Sequence, residues 1–270
     1  MSLTRSQVAA LLAAHGLTPS KALGQHFLID PNTARRIVRL AGVGTGDQVL
    51  EVGPGLGSLT LALLDAGAQV TAVELDARLA DVVAEVTAGR CMVVVGDALE
   101  VDLASVLGEG ATRVVANLPY NVAVPIVVRL LEEAPSVTSL LVMVQTEVAE
   151  RLAAPPGSRT YGGVSVKVDY FARARVVGRV PRSVFLPEPN VDSSLVAVER
   201  RDAVAVDPEQ VSYERLFEVV RAAFAHRRKM LRRSLDGIVS PEAFERAGVD
   251  PTQRPEELGV TAFGRLAAVP

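Results

Sequence analysis

The sequence has no tryptophan, one cysteine (Cys91), three histidines and only 4% aromatic residues in a chain of 270. A single cysteine excludes an intramolecular disulfide and any cysteine-cluster metal site, and it fits a reducing compartment. No His/Cys/Asp cluster points to a metal, so none is expected. Long apolar runs are missing too: none reaches the ~18 residues of a membrane-spanning helix. The short apolar run at 8–14 leads into His15-Gly16, where a signal peptide would carry small residues for cleavage. A short helix opening near Ser6 and a cytoplasmic protein without membrane attachment are therefore expected. No internal repeat and no low-complexity segment interrupts the chain. Lysine is nearly absent (Lys21, Lys167, Lys229), so arginine carries almost all the positive charge.

What is present describes a globular chain, with 49% hydrophobic and 22% charged residues. The length accommodates one large domain, or one domain with a small appendage. The net charge of −3 argues mildly against a nucleic-acid partner. Its distribution argues the other way: residues 1–150 hold 9 basic and 16 acidic residues, whereas 151–233 hold 16 and 9. Such asymmetry points to a polyanionic partner, and equally suits a solvated basic surface.

Strand-like and helix-like patterns alternate through the first 145 residues. Strands are predicted at 48–53, 69–74, 92–96, 113–117 and 140–145, with helices at 58–66, 77–87 and 124–133 between them. This alternation predicts an α/β fold with a mostly parallel sheet covered by helices. Ligands of such sheets bind beyond the carboxyl ends of the strands, where the strand order reverses. The alternating segments 164–170 and 193–199 read as strands added at a sheet edge, with a proline-rich stretch at 181–189 between them. A boundary falls near 201–208. Short helices at 213–224, 228–235 and 241–247 and a last segment from Pro255 then form a small helical appendage. The expected domains are 1–203 and 204–270.

Residues Glu51-Val-Gly53-Pro-Gly55-Leu-Gly57 form a glycine loop after the first strand. Glycines there let the backbone approach a ligand closely. The dinucleotide fingerprint G-x-G-x-x-G is broken, with Ser58 at its third glycine position. An acidic residue followed by G-x-G-x-G resembles the S-adenosylmethionine loop of methyltransferases instead; a nicotinamide site and a plain tight turn remain open. Glu74 ends the second strand, where a carboxylate can accept both ribose hydroxyls. Asp97 ends the third, placed for an adenine exocyclic amine. Each also suits a helix N-cap.

Asn117-Leu118-Pro119-Tyr120 closes the fourth strand and resembles the [N/D]-P-P-[Y/F] signature of enzymes that methylate exocyclic amines of nucleobases. An adenine N6 lone pair is delocalised into the ring. The Asn117 side-chain oxygen and the Leu118 carbonyl can accept its two hydrogens and free the lone pair, while Pro119 stiffens the turn. Tyr120 offers a ring face to the base. Phe185, exposed in a proline-stiffened loop, is the expected second face of that sandwich, and a core anchor otherwise. Arg227, Arg228, Lys229, Arg232 and Arg233 crowd a segment read as one helix, with Met230 and Leu231 partly inward. They are candidate phosphate contacts or a solvated face.

These motifs, in this order and over nearly the whole chain, resemble the KsgA/Dim1 family of rRNA adenine N6,N6-dimethyltransferases. Residues 21–28 (KALGQHFL), 145–152 (QTEVAERL), Tyr161-Gly162, 185–193 and 226–235 extend the likeness. The resemblance implies a Rossmann-like S-adenosylmethionine-dependent methyltransferase domain with an antiparallel edge strand, and a small α-helical C-terminal domain that binds RNA or the ribosome. It implies cofactor contacts at His26, Leu28, Gly53, Gly55, Glu74, Asp97 and Asn117, with S-adenosylhomocysteine as product. The implied substrate is two adjacent adenines in the 3′-terminal hairpin of 16S rRNA, within an assembling 30S subunit, and the enzyme is expected to be a monomer. A large-subunit rRNA adenine methyltransferase, and an assembly or RNA-binding factor whose catalysis is secondary, are the alternatives.

Overall fold

The computed structural model describes residues 2–20, 24–108 and 110–269. Lys21, Ala22 and Leu23 of the upstream motif lie outside the described residues. Contacts divide the chain into two units: Met1–Ala149 with Arg175–Glu199, and Glu150–Ala174 with Arg200–Pro270. The last of the three crossings, after Glu199, lies near the boundary expected from sequence, but residues 150–174 group with the C-terminal unit.

The strands are β1 (Phe27–Leu28), β2 (Gln48–Val52), β3 (Gln69–Glu74), β4 (Met92–Val95), β5 (Thr112–Asn117), β6 (Val137–Gln145), β7 (Ala172–Val180), β8 (Phe185–Leu186) and β9 (Ser193–Arg200). Seven of them form one sheet in the order β4-β3-β2-β5-β6-β9-β7, and β1 pairs with β8 in a separate two-stranded ribbon. The pairs from β4 through to β6 are parallel, and β9 runs antiparallel to β6. This is the α/β class expected, antiparallel addition included. The order turns back at β2, which has β3 on one side and β5 on the other. The crevice such a reversal opens lies beyond Val52 and Asn117.

The first unit's helices are α1 (Arg5–Ala14), α2 (Pro31–Ala41), α3 (Ser58–Asp65), α4 (Ala77–Val86), α5 (Leu103–Leu107) and α6 (Ala123–Glu133). Local chemistry sets their ends. Thr4 and Gln7 form a reciprocal capping box at α1. Asp30 caps α2, Pro31 occupies its first position and left-handed Gly42 stops it. Ile37 and Val38 of α2 and Leu59 and Leu63 of α3 bury against Val49, Val115 and Leu141 of the sheet. Each such side chain contributes about 1.5–3 kcal/mol on burial.

Around the first crossing, α7 is Thr146–Leu152. The second unit continues with α8 (Gly163–Phe171), α9 (Tyr213–Ala225), α10 (Leu231–Ser234), α11 (Pro241–Ala247) and α12 (Val260–Ala268). The scarce aromatics are concentrated here: of seven Phe and four Tyr, only Phe27, Tyr120 and Phe185 belong to the first unit. Tyr170 meets Phe217 edge-on at 5.7 Å, and Tyr213 lies 4.5 Å from Phe217. Lys167 sits 5.2 Å over the Phe217 ring, a cation–π contact.

Two expectations are corrected here. Residues 164–170, read as a strand from their alternation, lie in helix α8. Val166 and Tyr170, one helical turn apart, both bury in the second core, and the Gly162 N–H donates to Ser165 Oγ at the start. Tertiary packing outweighs β-propensity; the strand begins only at Ala172. The basic segment is likewise not one helix. Helix α9 ends at Ala225, His226–Lys229 form a turn closed by the Lys229 N–H to the His226 carbonyl (2.8 Å), and α10 is a single turn. Leu231 and Leu235 are wholly buried and fix that turn, while Met230 is exposed.

Candidate active site

Beyond the carboxyl ends of β2, β3 and β5 the first unit holds an open cavity. His26, Leu28, Gly53, Gly55, Glu74, Asp97, Asn117, Leu118, Pro119 and Tyr120 all line it. The structure therefore brings together, in one place, every site residue expected in the first unit except Phe185.

The glycine loop forms the cavity's inner edge. Gly53, Gly55 and Gly57 all have positive φ (69°, 59° and 87°), a region that costs other residues strain. At Gly55 a side chain is also excluded by space: a Cβ would sit 2.9 Å from the Phe27 ring. The backbone thus stays bare along this edge of the cavity. Glu74 faces it from the end of β3, 6% exposed. Its Oε2 accepts the Gly55 N–H and its Oε1 the Asp76 N–H, both at 3.1 Å. Burial pushes the carboxyl up from its ordinary value, and those amides hold it partly down. Each carboxylate oxygen keeps a lone pair for a ligand hydroxyl. Asp97 Oδ1 accepts the Leu99 N–H at 2.8 Å, so Asp97 caps a turn, and the residue also lines the cavity.

The N-L-P-Y turn forms the opposite edge. Asn117 Nδ2 donates to the His26 carbonyl at 3.2 Å, which orients the amide with Oδ1 as the remaining acceptor. The Leu118 N–H is tied to the Met143 carbonyl at 3.1 Å, and no described residue donates to the Leu118 carbonyl. Pro119 packs beside Gly53: a Cβ on that glycine would lie 3.5 Å from the proline Cδ. Tyr120 bonds through its hydroxyl to Ser193 Oγ at 2.7 Å. Burial raises the phenol's pKa, so the ring stays neutral. The His26 ring lies 5.3 Å from the Tyr120 ring, tilted 30°, and His26 Nδ1 donates to the Pro187 carbonyl at 2.8 Å. That bond leaves Nε2 as the other ring nitrogen.

Phe185 is not where the sandwich requires it. It is 0% exposed, pairs with Leu28 across the β1–β8 ribbon and packs in the sheet core with Leu28, Val180 and Leu195. Burial is worth more to so large an apolar ring than exposure between prolines, and the prolines flank a buried strand rather than a solvent loop. Its role is that of a core anchor.

Glu51 is the site residue that sequence reasoning noted but gave no role. It lies on the cavity floor, 1% exposed, and its Oε2 has no hydrogen-bond partner among the described residues. Burial and the nearby Glu74 push its pKa up to about 8. The signal was its place inside a strand, directly before the glycines. The lone Cys91 is buried, with its thiol pushed up to about 12. No group of His, Cys, Asp or Glu among the described residues is arranged to hold a metal ion.

The basic residues of 227–233 lie in the second unit. Arg228, Lys229, Arg232 and Arg233 are exposed. Arg227 is half-buried: it donates to the Arg159 carbonyl at 2.6 Å and lies 3.8 Å from Glu256. Four of the five cations are thus available to a partner.

A family model for ribosomal RNA adenine dimethylase matches residues 17–267. The chain belongs to that family. The ribosomal RNA small subunit methyltransferase A of Thermobifida fusca is 50% identical over 98% of this chain and 95% of its own. Among solved structures, a dimethyladenosine transferase from Plasmodium falciparum superposes with a TM-score of 0.76, at 24% identity over 89% of this chain and 96% of its own. The 23S rRNA methyltransferase ErmE does so with a TM-score of 0.68, at 28% identity over 89% and 99%. Family membership establishes the Rossmann-like methyltransferase fold for the sheet described above, and no helix among the described residues is long and apolar enough to cross a membrane.

Proposed function

We propose that this member of the family is the S-adenosylmethionine-dependent enzyme that dimethylates N6 of two adjacent adenines in the 3′-terminal hairpin of 16S rRNA. It acts as a monomer in the cytoplasm, on an assembling 30S subunit. One observation supports the chemistry most directly. The bond from Asn117 Nδ2 to His26 leaves Asn117 Oδ1 as an acceptor, no described residue donates to the Leu118 carbonyl, and both residues line the cavity. An amine with two hydrogens fits that pair. The 50% identity to a small-subunit enzyme, against 28% to a 23S enzyme, favours the small-subunit substrate.

The residues present fit the cofactor. Glu74, held by two backbone amides, presents acceptors for vicinal hydroxyls. Asp97 Oδ2 suits an exocyclic amine, the bare backbone of Gly53 and Gly55 admits close approach, and His26 and Leu28 close the side formed by β1. Glu74 and Asp97 make the cavity suitable for a cation. When bound, S-adenosylmethionine supplies an electrophilic methyl group on a sulfonium sulfur and leaves as S-adenosylhomocysteine. The protein's part is orientation and polarisation. Asn117 and Leu118 draw the N6 hydrogens and localise the lone pair. Pro119 holds the turn against Gly53. Tyr120, fixed by Ser193, gives the extruded base a face. Arg228, Lys229, Arg232 and Arg233 contact phosphates at the second unit.

Calorimetry with S-adenosylmethionine and with NAD, followed by methyl transfer to unmethylated small and large subunits, tests this reading. Binding of the first ligand alone and transfer to the small subunit are expected; transfer confined to the large subunit overturns it.

A further inference from the structure

Four of the nine basic residues in the acidic half of the chain, Arg35, Arg36, Arg39 and Arg113, lie on α2 and β5, and Arg175, Arg179 and Arg182 lie on or just after β7. Strand β7 is outermost in the sheet order. Arg36, from α2, reaches that strand: its Nη1 donates to the Arg179 carbonyl at 2.9 Å. The guanidinium lies against Gly178, where a side chain would crowd Nη2. A glycine in a strand often marks a bulge, a bend or a close approach. The contact fixes the Arg36 fork on the strand and places it beside Arg179.

The arginines around it divide into two sets. Arg113, Arg175 and Arg182 pair with Asp47 (3.5 Å), Glu199 (3.3 Å) and Glu188 (2.9 Å). Arg36, Arg39 and Arg179 have no carboxylate within ion-pair distance among the described residues. Arg39 and Arg179 are exposed. Arg35, one turn before Arg39 on the same helix, donates to Asn32 Oδ1 at 2.7 Å. The result is three uncompensated guanidinium groups, one of them locked in orientation, on the unit that holds the cavity.

We propose that Arg36, Arg39 and Arg179 form a second RNA-binding surface, which grips the phosphate backbone of the substrate RNA from the methyltransferase unit itself. It is separate in sequence and unit from the cluster at 228–233. The proposal rests on the reading of the chain as an rRNA methyltransferase. Guanidinium groups present planar, paired donors that match phosphate oxygens. Such a surface would supply the methyltransferase unit with its own hold on a polyanion despite that unit's acidic composition.

The test uses the full-length protein and two probes, unmethylated small subunits and small-subunit rRNA stripped of protein, with affinity measured from about 50 to about 200 mM salt. Each phosphate contact adds about 0.7–0.9 to the slope of log affinity against log salt. Removing three contacts in R36Q/R39Q/R179Q lowers the slope by about 2–3, so over that fourfold range wild type loses roughly 20–40-fold more affinity than the variant. R39Q/R179Q leaves the Arg36 bond to the strand in place and is expected to show about two thirds of the slope change, with cofactor affinity and melting temperature unchanged. An unaltered slope for R39Q/R179Q on both probes overturns the proposal. So does weakening on subunits alone, which assigns the surface to a ribosomal protein. If wild type binds neither probe, the parent reading of the chain fails instead.

Discussion

Replacing Tyr120 by Phe removes one oxygen and tests how the base platform is held. That hydroxyl bonds to Ser193 Oγ at 2.7 Å, and Ser193 is 0% exposed. A buried hydrogen bond of this kind contributes about 0.5–1.5 kcal/mol net, and a buried hydroxyl left unpaired costs about 1–3 kcal/mol. Tyr120→Phe strands the Ser193 hydroxyl in the core. Ser193→Ala leaves the half-buried Tyr120 hydroxyl within reach of water. Tyr120→Phe is therefore the more destabilising of the two, by about 1 kcal/mol. Both free the ring and lower single-turnover methyl transfer about 5- to 10-fold, the equivalent of about 1–1.4 kcal/mol. The double variant is expected to be little worse than either, with a coupling near 1 kcal/mol. Tyr120→Ala removes the stacking face as well, and stacking at about 1–3 kcal/mol corresponds to about 5- to 150-fold. Calorimetry with S-adenosylmethionine should show cofactor affinity nearly unchanged in all four. Strict additivity in the cycle, or a loss of cofactor affinity equal to the loss of transfer, refutes the assigned role of Ser193 and Tyr120.

The other predictions concern neighbouring groups. Glu74→Gln places an amide NH₂ against the Gly55 or Asp76 N–H and removes a charge-assisted acceptor worth about 1.5–3 kcal/mol, so calorimetry should show cofactor affinity falling about 10- to 150-fold; unchanged affinity contradicts the hydroxyl-acceptor role. Glu51 has a folded pKa raised to about 8 from 4.5. Its contribution favours the fold below the unfolded value, and that stability is lost as pH rises from about 4.5 to about 8. Glu51→Gln should hence melt higher than wild type at pH 8, with the gap closing toward pH 5; a pH-independent difference contradicts this. Phe185→Ala should cost about 3–5 kcal/mol of global stability in denaturant melts, whereas Phe185→Leu retains most stability and activity; a fully folded but inactive Phe185→Leu would restore a stacking role.

The parallel half of the fold was legible because its signals are local. Strands of five or six residues, glycine stops and acidic strand ends recur at short spacing, and the sheet's order reversal then places Gly53, Glu74, Asp97 and Asn117 together without further information. The misread parts depend on contacts distant in sequence. Residues 164–170 alternate like a strand, and only the core around Phe217 makes Val166 and Tyr170 a helical face. Phe185 between prolines looks exposed until β1, more than 150 residues upstream, pairs with it. The basic run reads as helical from composition, but buried Leu231 and Leu235 require a turn at His226. Gly178 carried no visible signal, and only the structure shows the Arg36 side chain lying against it.

The most direct test of the account is nucleotide mapping of small subunits from unmethylated ribosomes after incubation with the protein and S-adenosylmethionine. The account predicts N6,N6-dimethyladenosine at two adjacent positions of the 3′-terminal hairpin, abolished by Asn117→Ala with cofactor binding at least partly retained. Methylation at any other base atom, or at an adenine of the large subunit alone, would contradict it.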